Sequence, residues 1–288
     1  MAVLLIGVAI ATIPAAAARA ERRKTPLDWP GVALAGAALL AYAAAMAGWY
    51  AGLLLPLAIF AFAVFFLVER RSGAPLVPLE TLHDRGTWTA LAMNVIVATV
   101  MMSTLVVGPF FLSFALRLDV ALVGIVMAVG PVIAALSGVP AGRATDRFGA
   151  QRVLVAGLFT ILVGLIGLAV LPRLFGIAGY VTALALLTPG FQLFLAANNT
   201  TVMMASPENR RGTMSALLGL SRNLGFMTGA SAMAAVFAAA AGSGEVGGLS
   251  ATATGHAFTT TFLVAAGLMP AALVLAFLGR SASKTRTH

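Results

Sequence analysis

The sequence predicts an all-α, polytopic membrane protein, and three observations predict it. Of the 288 residues, 60% are hydrophobic, and the mean hydropathy is +1.00. Only 9% are charged, where an ordinary soluble domain has roughly 25%. The windows 29–68, 86–116, 120–142, 153–172, 174–207, 223–244 and 246–279 contain no Asp, Glu, Lys or Arg. About 20 such residues cross a bilayer as a helix.

Nine spans are expected, at 1–18, 31–48, 51–69, 88–114, 120–141, 153–171, 176–204, 213–240 and 257–279. The first, "MAVLLIGVAIATIPAAAARAE", has an apolar run and a cleavage-like A-R-A, yet no basic residue precedes the run as a signal peptide requires. It is expected to span, and to be where a chain begins partway through a larger one. The second and third divide at "GWYAG" (48–52), where glycines turn the chain and Trp49 and Tyr50 suit the headgroup level. Residues 70–87, with Pro75 and Pro78, form the longest connection between spans. That connection separates three preceding helices from six following ones. The stretch 241–256 is glycine-rich and reads as a flexible connector.

Charge sets the expected orientation. Of the 18 Lys and Arg residues, fifteen fall in the loops 19–30, 70–87, 142–152 and 205–212 and in the tail from 280; the opposite loops hold only Arg117 and Arg173. The positive-inside rule then puts the C-terminus in the cytoplasm. The same arrangement reads the net charge of +9 as topology, so membrane lipid and no nucleic acid is expected as a partner. With no cysteine and three scattered histidines (His83, His256, His288), neither thiolate chemistry nor a metal cluster is expected. There is no GxxxxGK[ST] and no GxSxG, so no cofactor and no enzymatic activity are expected.

Within the spans, Arg222 stands out. It lies ten residues into its helix, about 15 Å deep at 1.5 Å per residue, where snorkelling is strained. Gly225 and Gly229 share its face and form a GxxxG that permits close helix packing. Arg222 is therefore a candidate for a solute path or gate, or else a structural arginine held by carbonyls and amides. Gln192 and Asn199 lie seven apart on one face, Asn198 beside them, and Asn94 in an earlier span. Each of these amides is either interhelical glue or a solute contact. Pro189 and Gly190 are expected to interrupt their helix. No Asp or Glu lies inside a span, so a coupling carboxylate for protons is expected outside this sequence.

The loop "GRATDRFGAQR" (142–152) holds Gly142, Asp146, Arg147, Gly149 and Arg152. Gly142 allows a tight turn or a close neighbour, and Gly138 adds a second small contact four residues earlier. Asp146 precedes the next helix, whose positive end favours an anion. This constellation resembles the signature between the second and third helices of each half of major facilitator superfamily transporters. "LDWPGVALAGAALL", "VERRSGAPLVPLETLHDRG" and "SPENRRGTMSALLGLSRNLGFMTGA" are similar to segments of the fourteen-helix drug:proton antiporter branch.

That resemblance implies a division. Residues 1–20 would be the last helix of a truncated N-terminal bundle, lacking five helices; 21–69, two linker helices; 70–87, a cytoplasmic connection; 88–279, a C-terminal six-helix bundle; 280–288, a tail. It also implies transport by alternating access, as proton-coupled efflux of drugs or other hydrophobic or cationic solutes. The partners would be a small-molecule solute, protons, lipid, and a missing N-terminal half or second copy. Gly142, Asp146, Arg147, Gly149 and Arg152 would form an inner gate. The other reading is a non-transporting half or membrane assembly partner.

Overall fold

The structure is a computed structural model, and it describes residues 29–70, 84–242 and 250–284. The expected span at 1–18, the basic loop after it, most of the 70–87 connection, the middle of the glycine-rich connector and the last four tail residues lie outside the described residues.

Seven helices make up the described chain: α1 (Trp29–Met46), α2 (Ala51–Glu69), α3 (Arg85–Phe110), α4 (Val120–Phe148), α5 (Ala150–Ala205), α6 (Arg211–Ala241) and α7 (Ala251–Lys284). Six of them are long and apolar enough to cross a membrane; the apolar part of α1, Gly31–Met46, is shorter. The expectation of nine spans is corrected on both counts. The α1 run of 16 residues reaches only about 24 Å, less than a hydrocarbon core of about 30 Å. The stretches 153–171 and 176–204, expected as two spans with a loop between them, run on without a loop, as two helical arms joined at Gly176 within Ala150–Ala205. Six or seven helices in the described residues do not make a nine-helix remnant of a fourteen-helix fold, and that branch assignment falls with the count.

Straight, 56 residues would measure about 84 Å. The chain avoids this by bending at Gly176, whose φ of 55° and ψ of −127° leave the helical region and suit a residue without Cβ. The arms, 150–175 and 177–205, then lie back to back. A Cβ on Gly164 would come within 2.7 Å of the Leu187 Cα, and one on Gly157 within 2.7 Å of the Phe194 backbone nitrogen. Gly190 faces Ile161 in the same seam. The expected interruption at Pro189–Gly190 is thus not where the helix breaks. Gly190 is used for close approach, and Gly176 makes the bend.

Capping accounts for other boundaries. Asp84 accepts from the Thr87 backbone N–H at 3.2 Å and starts α3. Asp119 does the same for α4 through Leu122, at 2.8 Å. Pro109 lacks an N–H, and beyond it residues Phe111–Ala115 form one wider π turn. That turn presents Phe111 to Phe258, ring centroids 4.0 Å apart, beside Tyr180. Phe262 continues the buried aromatic group.

Helix α3 is the centre of the packing, against α6 on one side and α7 on the other, while α4 packs almost wholly on α5. Helices α1 and α2 pair as a hairpin through a turn in which Gly48 and Tyr50 have positive φ. The hairpin meets α6, where the Tyr42 hydroxyl bonds that of Thr228.

Candidate functional site

The sequence-derived residues fall into three places. The first is the α3–α6 seam. Residues Met214, Leu218, Ser221, Gly225, Gly229, Met233 and Phe237 are buried along α6, one turn apart. At Gly225 a Cβ would meet the Val95 carbonyl oxygen at 2.5 Å, and at Gly229 the Thr99 Cα at 2.8 Å. The absent side chains therefore let two backbones touch. The Thr99 hydroxyl donates to the Gly225 carbonyl at 3.1 Å. Asn94, 1% exposed, donates through Nδ2 to the Leu218 carbonyl at 2.8 Å and to the Ser221 hydroxyl at 2.9 Å. Its Oδ1 is buried and has no partner.

The amides of α5 are divided in the same way. Asn198 is fully buried and donates to the Ala90 carbonyl on α3 at 3.3 Å, leaving its Oδ1 unpartnered. Gln192 donates to the Ala134 carbonyl on α4 at 3.1 Å, and its Nε2 lies against Gly138. Asn199 and Arg222 are half-buried, and among the described residues neither has a hydrogen-bond or ion-pair partner. Asn199 follows Gln192 by seven residues, two helical turns, and so continues the stripe that Gln192 turns toward α4. Around α6, Arg222 lies about 60° from Gly225 and about 20° from Gly229, and it is half-buried.

The second place is the corner between α4 and α5. The segment expected as a loop at 142–152 is helical up to Phe148, and only Gly149 leaves the helix, with φ 85° and ψ 141°. Its N–H closes α4 on the Thr145 carbonyl at 3.0 Å, and Val153 donates back to its carbonyl at 3.3 Å. One glycine reverses the chain between two helices. Asp146, Arg147 and Arg152 are exposed, and the Arg147 guanidinium lies 5.3 Å from the Phe148 ring centroid. Among the described residues Asp146 has no ion-pair partner and does not cap α5. Gly142 faces open space, with no atom within 4 Å of where a Cβ would be.

The third place is a cavity that sequence reading missed. It measures about 1340 Å³ and lies between the start of α3, the start and end of α5, and the end of α7. Asn198 and Arg152 line it; Asn94, Gln192, Asn199 and Arg222 do not. Its lining gathers Asp84, Ala150, Ala205 and Gly279, so these helix ends share one side of the molecule. A smaller cavity of about 400 Å³ at the other side joins Leu116, Arg173 and His256, where Arg173 donates to the Gly255 carbonyl at 3.1 Å. The large cavity draws on four separate stretches of chain, and no local pattern announces it. The glycines at 157 and 164, seven apart, did carry a signal for the α5 seam.

A model of the Major Facilitator Superfamily matches residues 29–230 and 90–288. The chain is 28% identical over 172 residues to the uncharacterized transporter YebQ of Escherichia coli (strain K12), covering 59% of this chain and 38% of that protein. It is 22% identical over 181 residues to the multidrug efflux pump LfrA of Mycolicibacterium smegmatis (strain ATCC 700084 / mc(2)155), covering 62% of this chain and 35% of that one. The chain thus spans well under half the length of these relatives. In fold it is similar to the crystal structure of a bacterial homologue of the iron transporter ferroportin in its outward-facing state. The TM-score is 0.54 at 18% identity, over 87% of this chain and 60% of that one.

Proposed function

The chain belongs to the Major Facilitator Superfamily, and from that premise we propose that it carries a small hydrophobic or cationic solute across the membrane. The family's members are carriers and not catalysts, so the chain is no enzyme. The observation that carries the solute reading is the contrast between two sets of polar side chains at membrane depth. Asn94, Gln192 and Asn198 direct their amide nitrogens at backbone carbonyls of neighbouring helices. Arg222 and Asn199 are half-buried and hold none of the described residues. A desolvated arginine needs a partner, and a passing solute or the water around it provides one.

In this reading Arg222 and Asn199 touch the solute, and Asn94, Gln192 and Asn198 hold the wall they stand on. Residues 88–279 act as one bundle. The α4–α5 corner with Gly142, Asp146, Arg147, Gly149 and Arg152 is the inner gate, facing the cytoplasm with the C-terminus. Alternating access would make and break contacts of its exposed charges. Efflux of drugs driven by protons is the finer form of the proposal, supported by the likeness to a multidrug efflux pump.

The test is flux of a fluorescent cationic dye in proteoliposomes carrying this chain under an imposed pH gradient. Gradient-dependent flux is expected, reduced about tenfold or more by Arg222→Ala, the loss of one charged contact being worth at least 1.4 kcal/mol. Folded protein that gives no flux, or flux indifferent to both Arg222→Ala and Asn199→Ala, would sink the carrier reading in favour of a membrane assembly partner.

A further inference from the structure

The 1340 Å³ cavity is open sideways. Phe159 of α5 and Phe277 of α7 belong to its wall, yet they are 60% and 53% exposed. Ala156 and Met204, also in the wall, are exposed as well. Its floor, with Ala90, Met93 and Leu154, is buried and apolar. The cavity is therefore a groove let into the flank of the bundle. Phe159 lies nine residues beyond the start of α5 at Ala150, and Met93 eight beyond the start of α3 at Arg85, so the groove runs about 12–14 Å in from the helix ends. That is close to half of a hydrocarbon core of about 30 Å. A flank of a membrane-spanning bundle faces lipid, and an apolar groove one leaflet deep has the reach of a single acyl chain.

At the mouth the charges divide unequally. A cation, Arg152, and an anion, Asp84, both line it. One carboxylate oxygen of Asp84 accepts the backbone N–H of Thr87 at 3.2 Å and its hydroxyl at 3.1 Å, so that charge serves the start of α3. Arg152 is exposed, and among the described residues it has no hydrogen-bond or ion-pair partner. Gln151 gives one amide N–H to the Ala276 carbonyl at 3.1 Å and keeps a second. The start of α5 has no side-chain cap and no acid in its first turn, so its backbone N–H groups add to the same positive mouth.

We propose that this groove holds an anionic phospholipid of the leaflet on the basic side of the molecule. One acyl chain lies along Leu154, Phe159 and Phe277, and the phosphate meets the side chains of Arg152 and Gln151 at the mouth. A guanidinium with no protein partner, set at the end of an apolar groove between helices, suits an anionic headgroup. The site shares Arg152 with the proposed gate but neither Arg222 nor Asn199. Its occupancy is read as binding without any flux, so it and the carrier reading fail separately.

The test is native mass spectrometry of the full chain, stripped of lipid in detergent and titrated with phosphatidylglycerol or phosphatidylcholine of identical acyl chains. Phosphatidylglycerol is expected to bind at concentrations about tenfold lower, the difference one charged hydrogen bond makes. Arg152→Gln should remove that preference. Arg143→Gln, the same change of charge at an exposed position on the same side but outside the groove, should keep it. Ala156→Trp, which fills the groove from an exposed position, should weaken both lipids about tenfold, the worth of roughly two buried methylenes. Equal binding of the two lipids by the unaltered chain, loss of the preference in Arg143→Gln as much as in Arg152→Gln, or undiminished binding by Ala156→Trp would overturn the proposal. So would displacement of the lipid by glycerol 3-phosphate at matching concentration, which would assign the mouth to a soluble phosphate.

Discussion

At the scale of single residues, glycines of similar appearance in the sequence have unlike environments. A Cβ at Gly229 would press on the backbone of Thr99 and the Met102 side chain, whereas one at Gly142 would meet nothing. Gly229→Val is therefore expected to destabilise the α3–α6 seam by about 1–3 kcal/mol, the range for overpacking a tight contact. Gly142→Ala, inside a helix and facing open space, should stabilise by about 0.5–1 kcal/mol, the difference in helix propensity. Heating each variant in detergent and following loss of the monodisperse species checks this; equal midpoints for the two would mean that the seam is not closely packed. Arg222 illustrates the same dependence on surroundings. Its depth could be read from its distance to the helix start, but its lack of a described partner could not.

At the scale of elements, the folding of α5 onto itself is the main event. A Cβ on Gly167 would lie 3.5 Å from that of Ala183, within the usual separation of about 3.5–4.5 Å for a disulfide. The double variant Gly167→Cys, Ala183→Cys should therefore cross-link under mild oxidant in this cysteine-free chain. Folded protein that keeps both thiols free would show that the arms do not meet. The apolar stretches of α2, α3, α4 and α7 were legible because no charge interrupts them for a whole span, and that of α6 because Arg222 alone does. The number of membrane-crossing elements was not. A Gly-containing turn and a Gly-containing packing seam look alike in one dimension: the boundary expected between 171 and 176 falls at the bend at Gly176, whereas Pro189–Gly190, expected to interrupt its helix, sits in a closely packed seam. The corner at Gly149 suffered the reverse error: charges in 142–152 suggested a loop, yet Arg143, Asp146 and Arg147 are exposed on the last turns of a helix, where charge and helicity coexist. Partners such as Asn94 with Leu218, or Asn198 with Ala90, lie more than a hundred residues apart and belong to tertiary structure alone.

At the scale of the whole molecule, the helix ends sort the charges. Arg85, Arg143, Arg147, Arg152, Arg210 and Arg211 lie toward the side that carries the large cavity, and Arg117 and Arg173 toward the side that carries the small one. With the basic side inside, as the positive-inside rule directs, a membrane-impermeant maleimide should label Leu174→Cys in intact cells and Phe148→Cys only after permeabilisation. Both native side chains are exposed, so access is decided by the membrane. The opposite pattern would invert the proposed orientation. One turn of α6 connects these scales. Thr228 donates to the Leu224 carbonyl, so the Tyr42 hydroxyl must be the donor in the bond between them, and it reaches α6 between the two glycines that touch α3. Helix α6 is thereby indexed from two directions within a single turn. Spinning about its own axis would break both registrations at once, while tilting about that turn would spare them and fall instead on the Asn94 bonds to Leu218 and Ser221 nearer the start of the helix.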